Sequence, residues 1–131
     1  MKDSEHFASP TSRIAGRTIG RVDYELRDAE GIFITKPSGY VSPSMVRDTL
    51  TAADRFGHRH PGGWSYVVDT SNFIVPNPLN VVHLRVVPHL AHLSQYAIVA
   101  PNPLLRTLAQ LLEPISHPDI IVRSIHELPP R

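Results

Sequence analysis

The sequence predicts one α/β domain built on a mixed β-sheet, with its elements in the order β-β-α-β-α-β-α-β. Three observations carry that reading. The run at 21–27 (RVDYELR) alternates apolar and polar residues, the period of a strand with one wet face. Residues 64–68 (WSYVV) and 95–100 (QYAIVA) are short, aromatic and β-branched, as strands buried on both faces are. Each of these runs leads through a loop into Asn-Pro-Leu, at 77–79 and 102–104, where Asn caps a helix and Pro occupies its first position. A hairpin followed by βα alternation gives a sheet whose later strands are parallel, joined by right-handed helical crossovers.

The elements follow in order. Residues 1–19 are polar, mixed in charge and without period, which reads as a disordered N-terminal arm ahead of a domain at 20–128. Val22, Tyr24 and Leu26 face a core, and Asp23, Glu25 and Arg27 face water. A turn at 28–31 and a strand at 32–35 complete a hairpin that Pro37 and Gly39 end. Ser42 and Pro43 open the first helix, Met45, Val46, Thr49, Leu50, Ala53 and Phe56 form its apolar stripe, and Gly57 reads as its stop. After the strand at 64–68, Leu79, Val82, Val86, Leu90 and Leu93 keep helical spacing, so residues 78–93 are expected to be helical. Pro88 should kink or break that helix near 85–87, and a strand over 81–87 is the alternative. A third helix spans 104–112 and ends at Glu113-Pro114, a last strand spans 119–123, and 124–128 makes one turn. YVVDTSNFIVPNPL and YAIVAPNPL also repeat one another: a Tyr-led strand, a loop and an Asn-Pro-Leu helix start.

Composition excludes several functions. The chain has 131 residues, 41% hydrophobic and 19% charged, with a net charge of +1, the balance of a globular domain with its own core. Its 13 Lys and Arg are scattered, which argues against nucleic acid, because phosphate binding needs clustered cations. Arg13, Arg17, Arg21, His58, Arg59 and His60 would gather only if the arm met the loop at 58–63. With no cysteine there is no disulfide framework and no thiolate chemistry. No apolar run is long enough to span a membrane and the amino terminus has no signal-peptide pattern, so a cytoplasmic protein is expected. Most of the 13 prolines sit at element boundaries, as a compact α/β domain uses them. The eight histidines do not form a ligand set by spacing: His89 and His92 share a segment with His83, and His58 and His60 share a loop. No metal or other cofactor is expected. Ser71 lacks the flanking glycines of a nucleophile elbow, and no dinucleotide or phosphate loop occurs, so the chain reads as non-catalytic.

The candidate site is the loop after the strand at 64–68: Asp69, Thr70, Ser71, Asn72 and Phe73, with Asn77 at the next helix start. Open α/β sheets place their sites at the carboxyl ends of strands. Asp69 can shape the loop while Ser71 or Thr70 offers a hydroxyl to a partner, or both can simply cap it as Asx and Ser turns do. Phe73, Ile74 and Val75 either tuck under the sheet or form the apolar centre of a binding surface.

This element order, with a central strand running into Val68-Asp69-Thr70-Ser71, resembles the STAS superfamily, the fold of bacterial anti-sigma-factor antagonists and of the cytosolic domains of sulfate transporters. The resemblance covers residues 20–127 and lies in element order and hydrophobic pattern. In that family the core strand ends in an Asp-x-Ser loop, which Asp69 and Ser71 match. A second motif, Asp-Ser-Ser/Thr-Gly, carries the regulatory phosphorylated serine. Asn77-Pro78-Leu79-Asn80 stands in its place with no hydroxyl, so the resemblance is to a divergent branch without the phospho-switch. It implies a regulatory domain that binds a protein partner through the loop at 69–76. The alternative is a small-molecule or lipid binding protein, as some of that branch have been compared with lipid carriers, with Phe73, Ile74, Val75 and Leu79 lining an apolar pocket. An exposed sheet edge at the initial hairpin would allow a homodimer.

Overall fold

The computed structural model describes residues 4–8, 13–14, 17–18, 20–39, 41–72 and 85–129. Eight strands are assigned: β1 (Ser4–Ala8), β2 (Arg13–Ile14), β3 (Arg17–Thr18), β4 (Arg21–Arg27), β5 (Ile32–Ser38), β6 (Trp64–Asp69), β7 (Leu93–Val99) and β8 (Ile120–Val122). Among the described residues two helices accompany them, α1 (Pro43–His58) and α2 (Pro103–Ser116), with 3-10 turns at Val87–His89 and Ile125–Glu127. Six strands form one mixed sheet in the order β1-β4-β5-β6-β7-β8, and β2 pairs with β3. β1, within the stretch expected to be an arm, and β4 pair antiparallel, as do β4 and β5. β5 through β8 are parallel, as the βα alternation requires.

From β4 to β8 the strands lie side by side in chain order. The sheet therefore has no reversal of strand order among the described residues, and so no crevice of the kind that a switch point opens. Both helices pack on one face. Phe33 lies at the centre of that face, with Tyr24, Phe56 and Tyr66 at ring distances of 5.7, 5.6 and 5.8 Å, and Trp64 just beyond. Met45 and Val46 from α1 and Leu105 and Ala109 from α2 close over it. The other face carries a smaller aliphatic patch of Ile34, Val67, Val99 and Val122, onto which Ile125 and Leu128 fold back. β6 is buried on both faces from Trp64 to Val68, as its continuous apolar run predicts. The internal repeat falls into register: Tyr66 pairs with Tyr96, Val68 with Ile98 and Asp69 with Val99.

The predicted caps are present. Ser42 Oγ accepts the Met45 N–H at 3.3 Å, and Asn102 Oδ1 accepts that of Leu104 at 2.8 Å. Five expectations need correction. Pro37 lies inside β5 and does not end it. It falls beyond Thr35, the last β5 residue paired with β6, so a missing N–H on that side breaks no ladder bond. Gly57 does not stop α1; it is buried within it, because a Cβ there would sit 2.7 Å from Ala91 O and 2.8 Å from Trp64 Nε1. Residues 85–93 are neither helix nor strand until β7 begins at Leu93: Pro88 lies in the 3-10 turn that buries Val87. Proline lacks the donor that an α-helix needs there. α2 continues through Pro114 to Ser116, since a proline in the last turn costs one backbone bond, and left-handed His117 closes the helix onto Glu113 O at 2.8 Å. Glu25 is buried and not wet, because Arg27 and Lys36 turn back onto its carboxylate. The helix expected at 78–84, the alternative strand over 81–84 and the side chains of residues 1–19 lie outside the described residues.

Candidate functional site

β6 delivers Asp69 to the carboxyl end of the sheet between β5 and β7. Beyond it the chain must satisfy its backbone groups without a ladder, and the short polar side chains do this. Asp69 Oδ1 accepts the backbone N–H of Ser71 at 2.9 Å and also the Ser71 hydroxyl, a closed Asx turn. Thr70 bonds sideways: its N–H and its hydroxyl both donate to Val99 O at the end of β7, at 2.9 and 2.8 Å. The loop is thus tied to its own carboxylate and to the neighbouring strand. Ser71 and Asn72, its last described residues, are exposed. The Ser71 hydroxyl gives its proton to Asp69, which leaves its oxygen able to accept.

Four of the six predicted site residues, Asp69, Thr70, Ser71 and Asn72, are therefore brought together, with distinct tasks. Phe73 and Asn77 lie outside the described residues, as do Ile74, Val75 and Leu79. Of the candidate basic patch, the side chains of Arg13 and Arg17 lie outside the described residues, and the other four members do not gather free charge. Arg59 and His60 both reach Asp28, at 3.1 and 3.4 Å, Arg21 pairs with Asp23 at 3.0 Å, and His58 approaches Asp54 at 3.6 Å. His60 also stacks on Phe56, 4.1 Å between ring centres. Among the described residues no three His, Asp or Glu side chains converge as metal ligands, and no helix is long and apolar enough to cross a membrane.

Among the described residues two ionisable groups are perturbed, Glu25 on β4 and Tyr66 on β6. Burial works against ionisation of Glu25, but the hydrogen bonds and charges of Arg27 and Lys36 together outweigh it and hold the carboxyl below its usual range. Burial pushes the Tyr66 phenol well above its usual value, and a hydrogen bond with Thr35 offsets this only in part.

A second feature lies at the opposite end of the sheet. Ile32, Ser65 and Gln95, at the amino ends of β5, β6 and β7, floor a cavity of about 400 Å³, walled by Arg27, Ile125 and Leu128. Ser65 Oγ donates to Gln95 Oε1 at 3.4 Å across its floor. Ser65 and Asp69 are four residues apart on an extended strand, so cavity and loop stand about 13 Å apart along β6. Sequence reasoning missed this cavity. The one available signal was Ser65, the single polar residue in the apolar run at 64–68.

Comparison of the chain with protein families, with curated proteins and with solved structures finds no match.

Proposed function

We propose that this protein is a non-catalytic, divergent STAS-like regulatory domain that acts by binding another protein through the loop Asp69 to Asn72. The observation that carries the reading is the division of labour in that loop. Asp69 and Thr70 spend their hydrogen bonds on shape, and Ser71 and Asn72 stand exposed on the rigid end of a buried strand. Such preorganisation lowers the ordering cost of binding. The mixed sheet with parallel β5 to β8 supports the fold side of the proposal. The test is capture of a partner from the host's own lysate, read by native mass spectrometry. A protein subunit at fixed stoichiometry that a folded Asp69→Ala, Ser71→Ala variant fails to hold supports the proposal. Equal capture by that variant rules the loop out.

A second reading, binding of a small molecule, is favoured by one observation, the cavity over Ser65 and Gln95. Its volume suits a small ligand. In the same spectra it predicts a small extra mass that unfolding releases and that the loop variant retains.

A further inference from the structure

The two edges of the six-stranded sheet differ. On one side β1 pairs with residues 23–27 of β4 and is itself the outer strand, so the initial hairpin is not the free edge. On the other, β8 pairs with β7 alone among the described residues. After β8 the described residues turn beneath the sheet, where Ile125 and Leu128 pack against the cluster of Val99 and Val122. Ile120 and Ile121 are only partly buried, and Arg123 is exposed with no hydrogen-bond or ion-pair partner for its guanidinium among the described residues.

The sequence of this edge, Asp119-Ile120-Ile121-Val122-Arg123, is self-complementary. Laid antiparallel on itself about Ile121, it sets Asp119 of one copy opposite Arg123 of the other at both ends, with Ile120 opposite Val122. Asp119 already has one carboxylate oxygen on the Tyr96 N–H at 2.7 Å, which fixes the side chain and leaves the second oxygen for a cation. α2 contacts β8, and its Leu105 and Ala109 pack against the same core as Ile121, yet Leu104 and Leu111 are 68% and 70% exposed. Those two leucines are seven residues apart and so share one face of the helix. We propose that β8 is a homodimer edge. A second copy of this chain adds antiparallel through residues 119–123 and continues the sheet across a two-fold axis. Unpaired edge groups favour such addition, and a two-fold join uses the same patch on both copies. The two α2 helices then flank the seam, where Leu104 and Leu111 supply apolar surface.

Analytical ultracentrifugation from about 1 to about 100 μM tests this, a range that resolves ordinary dimer affinities. The expected result is reversible association of the 14.6 kDa chain into a species of twice that mass. Arg123→Glu places like charges at both ends of the join and should raise the dimer dissociation constant about tenfold or more. Arg123→Lys should leave it nearly unchanged. A monomer throughout the concentration range, or a dimer indifferent to Arg123→Glu, overturns the proposal.

Discussion

The two ends of the parallel sheet solve the same problem in opposite ways. At the carboxyl end the described backbone groups just beyond β6 are met by side chains of the loop itself and by the end of β7, with Ser71 and Asn72 exposed. At the amino end the strands begin beneath two reinforcements: Trp64, whose indole N–H donates to Ala91 O at 2.7 Å, and the returning segment that walls the cavity. One end presents residues outward and the other encloses space. A surface that meets a partner needs exposed groups held in place at little cost, and the carboxyl end supplies that. The amino end carries the structural load, with Trp64 among the most deeply buried side chains.

That contrast can be broken by substitution, and the largest effect should come at the amino end. Gly57→Ala would ordinarily stabilise a helix by up to about 1 kcal/mol. Here the added methyl meets Ala91 O and the Trp64 indole at 2.7 and 2.8 Å, so it displaces the bond that holds the start of β6. A net loss of about 2 kcal/mol is expected by chemical denaturation, as for other overpacked sites. An unchanged or raised midpoint would show that α1 and β6 are less tightly coupled. A smaller effect is expected at the other end. Thr70→Val keeps the shape and removes one donor to Val99 O, which should cost about 1 kcal/mol. A cost as large as that of Gly57→Ala would mean that the loop is structural.

How much of this was legible in the sequence depends on whether a residue's task is local. Ser42-Pro43 and Asn102-Pro103 announce their helices because capping involves only the next few residues. The Asx turn at Asp69 could be expected for the same reason. Gly57 could not be read correctly, since glycine marks both a helix stop and a close approach, and only the positions of Trp64 and Ala91 decide between them. Leu90 and Leu93 fit helical spacing, yet they reach the core from a turn and a strand start, because the spacing of few residues does not discriminate. The sideways bonding of Thr70 depends on β7, 29 residues away, and leaves no local trace.

Glu25 gives the smallest and most specific test. Its carboxyl is held below the ordinary value of 4.5, so its ion pairs contribute fully above that value. The contribution is lost as the pH falls through the lower value of the folded state. Wild type should therefore exceed Glu25→Gln in stability by about 0.5 kcal/mol near neutral pH, the scale of a partly exposed ion pair. The gap should close as the pH drops below about 4.5. A gap independent of pH would mean that Arg27 and Lys36 contribute packing and not charge.

The proposed binding function assigns the partner to the carboxyl-end loop and not to the amino-end cavity. The most direct measurement sets two variants side by side in partner capture from host lysate: Asp69→Ala with Ser71→Ala at the loop, and Gln95→Ala at the cavity floor. The loop variant, folded by circular dichroism, is expected to lose the captured subunit while Gln95→Ala retains it. Capture that survives in the loop variant and fails in Gln95→Ala would contradict the account and move the functional site to the other end of the sheet.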